Sequence, residues 1–140
     1  MKTYLCLDLG EKHIGLASGS AEVRLAQPLE VIEHTSRKAD IEKILKALHR
    51  IQASHVVIGI SYQEDGIPNS MGRHALSFGT ALQEACGLPV EYCDEALSTR
   101  DARLITLESR KSKKDRRGHQ DALAAAVILQ SFFDNMTIHD

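Results

Sequence analysis

The segment Tyr4-Leu5-Cys6-Leu7-Asp8-Leu9 constrains this chain more than any other. Strand alternation places Tyr4, Cys6 and Asp8 on one face and the three leucines on the other, so both faces are largely apolar. Such a segment suits the centre of a sheet covered on both sides. Its one carboxylate, Asp8, falls at the end of the strand, at a sheet edge and not in a core. Gly10-Glu11-Lys12-His13 reads as a turn, and Ile14 to Ser18 returns antiparallel to close a hairpin. A third short strand is expected over Leu29 to Glu33.

The remaining pattern alternates helix and strand. Ser36 caps a helix whose Ile41, Ile44, Leu45, Leu48 and Ile51 form one apolar stripe. The β-branched run His55 to Ile60 is a buried parallel strand, followed by a polar loop from Ser61 to Asn69. A second helix starts near Ser70, buries Ala75, Phe78, Leu82 and Ala85, and stops at Gly87. Pro89 to Cys93 is another strand. Ser98-Thr99-Arg100-Asp101 resembles a capping box opening a short helix to about Leu107. Gly118 to Asp121 opens a last helix, apolar nearly all round from Leu123 to Phe133.

Three antiparallel strands followed by helix, strand, helix, strand and two helices predict an α/β fold. It is an RNase H-like mixed five-stranded sheet, three strands antiparallel and then two parallel, with helices on both faces. Right-handed crossovers make strands one, four and five parallel. Their C-terminal ends then share one edge, where ligands of open α/β sheets bind. Asp8, the Gly59 to Gly66 loop and Asp94-Glu95 all fall there.

With 140 residues, 43% of them hydrophobic, residues 1–140 are expected to form a single domain. It carries a mobile basic loop at about 109–118 and a short C-terminal tail. No export signal is apparent, because Asp8 interrupts the apolar start. The longest uninterrupted apolar run, Ala122 to Leu129, is far short of the roughly 20 residues that span a bilayer, so no membrane partner is expected. Cys6, Cys86 and Cys93 are odd in number and lack CxxC spacing, which suggests neither a disulfide framework nor a zinc site. A reducing cytoplasm fits.

The formal charge of −2 excludes a protein that coats nucleic acid with its whole surface. Cations are concentrated in one run, where Arg110, Lys111, Lys113, Lys114, Arg116 and Arg117 fall within eight residues. Such a run is a solvated segment on its own, and an ordered, salt-sensitive clamp when phosphates are present.

Three acids stand out: Asp8, Glu95 and Asp121. Each has a plain structural role open to it, as a strand end, a solvated turn residue and a first-turn helix acid. Together they suit a metal site, since crowded carboxylates repel unless cations neutralise them. Mg²⁺ or Mn²⁺ matches an all-oxygen donor set. Two ions about 3.5–4 Å apart would clamp a phosphodiester for hydrolysis. Asp94, His13 and His119 rank second, and Lys12 joins the basic run as a phosphate contact. The scarcity of aromatics excludes a large base-stacking platform.

Across nearly the whole length these motifs resemble the YqgF/RuvX family of Holliday-junction-resolvase-like proteins with an RNase H fold. Asp8-Leu9-Gly10 through Gly15-Leu16-Ala17 is similar to DxGxxxxGxA. Val57-Ile58-Gly59 with Asp65-Gly66 is similar to VxG…DG. Pro89-Val90 through Asp94-Glu95 and Ser98-Thr99 is similar to PV…DExxST, and Asp121-Ala122 through Leu129 to DxxAAxxIL. The resemblance implies a cytoplasmic nuclease that matures the 5′ end of pre-16S rRNA, with divalent metal held by Asp8, Glu95 and Asp121. It implies equally a resolvase-like activity on branched DNA. Arg is usual in the family at the positions of His13 and Ala96, and Pro at Ser61, which implies either weaker substrate binding here or reliance on His13 and the 110–117 run instead. A non-catalytic nucleic-acid-binding module is the second reading, and half of an ATP-binding phosphotransferase, sharing the DxGxxxxG hairpin, is the third. Monomer and homodimer both remain open.

Overall fold

The computed structural model describes residues 2–61, 66–95 and 117–136, with the backbone alone for 117–121. Five strands form one sheet: β1 (Thr3–Leu9), β2 (His13–Ser20), β3 (Gln27–Glu33), β4 (His55–Ile60) and β5 (Val90–Asp94), in the order β3-β2-β1-β4-β5. β1 pairs antiparallel with β2 and parallel with β4, β2 pairs antiparallel with β3, and β4 pairs parallel with β5. The mixed sheet and the central position of β1 are therefore as expected. β3 begins at Gln27, two residues before the expected start, and β5 is shifted one residue toward its C-terminus. Strand ends are weakly specified by residue type, and here pairing with β2 and β4 sets them.

Among the described residues three helices cover the sheet: α1 (Arg37–Ile51), α2 (Ser70–Cys86) and α3 (Arg117–Asp134). Ser36 caps α1 by accepting from Ala39 N–H at 3.1 Å, and Asn69 caps α2 by accepting from Gly72 N–H at 2.9 Å. Gly87 ends α2 in the left-handed conformation with φ 72°, where a side chain would be strained. α3 starts at Arg117, so Arg117 and Gly118, expected in the basic loop, are helical. The expected helix from Ser98 to Leu107 and the remaining loop positions lie outside the described residues.

The strict alternation of β1 sorts the core into two layers. Leu5, Leu7 and Leu9 join Val56, Ile58 and Ile60 of β4 beneath Ile44 and Leu48 of α1 and Phe78 and Leu82 of α2. Tyr4, Cys6 and Val57 face the other way, against Ala125, Ile128, Leu129 and Phe133 of α3. At about 25 cal/mol per Å² of apolar area, each buried Leu, Ile, Val or Phe among them contributes roughly 1.5–3 kcal/mol before entropy is counted. No described helix is long and apolar enough to cross a membrane.

Candidate active site

The register of three neighbouring strands assembles the site. Leu7 pairs with Ile58, so Asp8 and Gly59 follow side by side, and Gly59 pairs with Cys93. Asp8 shares the face of Cys6, and Gly59 that of Val57, which is the face under α3. Glu95, one residue beyond β5, reaches back over Gly59. A Cβ placed on Gly59 would lie 3.2 Å from Glu95 Oε1 and 2.7 Å from Ile128 Cδ1. The missing side chain at residue 59 thus leaves the space that Glu95 occupies.

Asp8 and Glu95, both half-buried, line one cleft of about 190 Å³ together with Leu9, Gly59, Ser61, Met71 and Ala75. Burial, reinforced by the neighbouring Asp94 carboxylate, raises the pKa of Glu95 above its ordinary value. The Cys6 thiol, fully buried beneath the site, is pushed well upward by burial and then by the charges of Cys93, Asp8 and Glu95. Cys93 is pushed up to about 11 by burial, then by Asp94 and Glu95. Neither thiol lines the cleft, whose charged groups among the described residues are the carboxylates of Asp8 and Glu95. The negative charge gathered there is the electrostatic condition that a hard divalent cation relieves.

The direction of α3 follows from two contacts. Phe133 packs against Tyr4 near the start of β1, while Ile128 reaches Gly59 near the end of β4. The helix N-terminus therefore points toward the sheet edge that holds Asp8. Asp121 precedes Ile128 by seven residues, roughly 10 Å along the axis and on the same helical stripe. Its helix position is thus at the edge where the cleft opens. Among the described residues no three His, Cys, Asp or Glu side chains gather as a metal site, and the Asp121 side chain is not among those described.

The sequence of residues 2–135 matches the family described as RuvX: Holliday junction resolvase. The chain belongs to the RuvX family. A protein of Anaeromyxobacter sp. (strain Fw109-5), named as a pre-16S rRNA nuclease, is 41% identical over 131 residues, covering 94% of this chain and 96% of its own. A protein of the same name from Dechloromonas aromatica (strain RCB) is 36% identical over 135 residues, covering 96% and 92%. In three dimensions the RuvX-family chain is similar to Thermus thermophilus RuvC in complex with a Holliday junction substrate. The TM-score is 0.64 at 20% identity, covering 96% of this chain and 94% of that one. The fowlpox virus Holliday junction resolvase gives 0.56 at 13% identity, covering 96% and 99%. At these identities the structures establish the shared fold.

The other sequence-derived positions of this RuvX member are dispersed. Asp94 ends β5 and lines a different cavity with Tyr4, His55 and Phe132, although its charge is felt at Glu95. His13 is exposed at the start of β2, where its carbonyl accepts from Gly10 N–H at 2.9 Å to close the hairpin turn. Lys12 is exposed in that turn. His119 and Arg117 lie in the first turn of α3, where only the backbone is described. Asp65, Ala96, Arg110, Lys111, Lys113, Lys114 and Arg116 lie outside the described residues.

Sequence reasoning missed Asp40. It is the fully buried carboxylate of α1, accepting from Thr35 N–H at 3.1 Å and bonded to His34 Nδ1. Its spacing to Ile44, Ala47 and Ile51 places it on the apolar stripe, and a carboxylate on such a stripe is a signal for a fixed partner.

The raised Glu95 pKa has a stability consequence in metal-free protein. A carboxyl whose folded pKa exceeds its unfolded value costs nothing below the unfolded pKa and destabilises as pH rises through the folded one. Glu95→Gln, measured by thermal melts in EDTA, is expected to melt above wild type at pH 7. The difference should vanish as pH falls below the ordinary carboxylate range. Equal melting temperatures at both pH values would show that the carboxylate carries no such penalty.

Proposed function

We propose that this chain is a divalent-metal-dependent nuclease that hydrolyses phosphodiester bonds in the cytoplasm, acting at the 5′ end of precursor 16S rRNA. The observation that carries this reading is the shared cleft of Asp8 and Glu95 at the C-terminal edge of β1, β4 and β5. The names of the relatives at 41% and 36% identity direct it to rRNA. In this reading Asp8, Glu95 and Asp121 hold two Mg²⁺ or Mn²⁺ ions, which would neutralise the phosphodiester and lower the pKa of a bound water. The protein's own part is positioning. Asp8 is fixed by the central strand, and Glu95 is seated over Gly59. The apolar layer of Cys6, Val57 and Ile128 closes the site from below and keeps water out on that side. Lys12 and the cations Arg110, Lys111, Lys113, Lys114, Arg116 and Arg117 supply sequence-independent phosphate contacts, with His13, His119 and Asp94 at the periphery.

A branched DNA junction is the second reading, favoured by the RuvC-like fold and the family description. Trimming one RNA end requires one active site, so a monomer suffices, whereas symmetric cutting of a junction requires a homodimer. The test incubates purified protein with a 5′-extended 16S precursor fragment and with a four-way DNA junction, in EDTA, Mg²⁺ or Mn²⁺. Metal-dependent shortening of the RNA with the junction intact is the expected result. Cleavage of the junction alone would transfer the assignment to DNA, and cleavage of neither would end the nuclease reading.

A further inference from the structure

A second cleft, of about 270 Å³, opens beside the first, between the β1–β2 turn, the start of α1 and α2. The two share Leu9 and Met71 as lining residues, so they adjoin at the sheet edge. Leu9, Met71 and Phe78 give this part an apolar floor, and Arg37, His34 and His74 stand at its rim.

Both leading polar groups are held in place. The exposed Arg37 donates from Nη1 to Ser77 Oγ at 3.0 Å, and its guanidinium carbon lies 5.9 Å from the Phe78 ring centroid. The bond to Ser77 engages one of the five guanidinium donors, leaving the fork a fixed orientation and further N–H groups for an anion. His34 is bonded through Nδ1 to the buried Asp40, whose other oxygen accepts from Thr35 N–H. That arrangement fixes the imidazole plane and leaves Nε2 for a ligand. His34 N–H also donates to Lys12 O at 2.8 Å, which ties the rim to the hairpin turn. Among the described residues, Glu11 is the one acid lining the cleft besides Asp40, and it is exposed at the turn.

We propose that this cleft is a nucleotide subsite. It takes an unpaired residue of the substrate strand next to the scissile bond, with the phosphate on Arg37 and His34 and the base over Leu9 and Met71. The inference rests on the nuclease reading for the path of the strand, because this cleft adjoins that of Asp8 and Glu95 at Leu9 and Met71. A guanidinium and an oriented imidazole above an apolar floor match the two halves of a nucleotide, and a concave cleft admits a single strand where a duplex is excluded. Asp40 acts here as a positioning residue for His34.

The test is fluorescence anisotropy in EDTA, without turnover, using a labelled single-stranded RNA 12-mer and the same sequence as a duplex. Arg37→Ala is expected to weaken single-strand binding about tenfold, the size of one lost charge-assisted contact. It should also lower the salt slope by about 0.7 and leave duplex binding within about twofold. Arg37→Lys should restore the slope but not the full affinity, since it keeps charge and loses the fork. His34→Gln, with a melting curve to verify folding, should weaken single-strand binding by a smaller factor. Arg37→Ala binding the single strand as wild type does would overturn the subsite. So would equal losses on both RNAs, failure of wild type to bind the single strand, or stronger binding of an acidic peptide. Single-strand binding lost in Arg37→Ala but no cleavage by wild type in Mg²⁺ or Mn²⁺ would retain the subsite and remove the nuclease reading. Cleavage by wild type with Arg37→Ala unchanged in KM and affinity would do the reverse.

Discussion

Asp8→Asn is expected to lower the rate of metal-dependent phosphodiester cleavage about 10³-fold, a loss of about 4 kcal/mol of transition-state stabilisation. The substitution keeps the shape of the side chain and removes its charge, and the Asp8–Gly15 pairing of the hairpin is a backbone feature that Asn preserves. The folded protein should therefore persist, with an unchanged far-UV spectrum. A readout independent of turnover separates loss of metal from loss of fold. Mg²⁺ or Mn²⁺ should raise the melting temperature of wild type, because a ligand bound to the native state stabilises it by mass action. The shift should shrink or disappear in Asp8→Asn. If the variant cleaves as fast as wild type, Asp8 is a strand-end residue and no more. An unchanged metal-induced shift together with lost cleavage would place Asp8 at the chemistry without a share in metal affinity.

The sheet was legible in the sequence because β1 carries a two-sided apolar alternation that an interior strand satisfies and an edge strand does not. The three leucines and the pair Tyr4 and Cys6 go to the two separate core layers, and Asp8 continues the second face into the cleft. α1 and α2 were equally legible, since Ser36 and Gly87 are respectively a start and a stop signal with a definite backbone geometry. The meeting of Asp8 and Glu95 followed from parallel pairing and the right-handed crossover rule. What was not legible depends on contacts between segments distant in the chain. Gly59 reads in sequence as a break in a β-branched strand, and its use appears only when Glu95 and Ile128 are brought over it. Arg37 reads as a surface cation in the first turn of a helix. Its neighbours Ser77 and Phe78 belong to α2, forty residues further along, and no local pattern announces the pairing. The carboxylate missed, Asp40, had a local signal in its place on an apolar stripe, but its partner His34 lies before the helix cap, where periodicity ends.

Gly59→Val is expected to destabilise the fold by about 3 kcal/mol and to lower cleavage about 10²-fold in the molecules that remain folded. The first effect is overpacking. Even a bare Cβ would stand 2.7 Å from Ile128 Cδ1, and the two Val methyl groups extend further into a layer that has no room. Ile128 is 5% exposed and held between Gly59 and the rest of α3, so it yields by moving the helix as well as its own side chain. The second effect acts on Glu95, whose Oε1 and Cγ lie 3.2 and 3.4 Å from the same Cβ position. A displacement of about 1 Å at a catalytic carboxylate is enough for a 10²-fold loss. Gly59→Ala separates the two, because Ile128 Cδ1 is the far end of a flexible side chain and can rotate away, whereas the Glu95 contact remains tight. Ala should thus recover most of the stability and less of the activity. Chemical denaturation of the two variants, read beside cleavage per folded molecule, checks both. Activity falling only in proportion to the folded fraction would show that Gly59 serves packing alone, and that Glu95 does not depend on the space beside it.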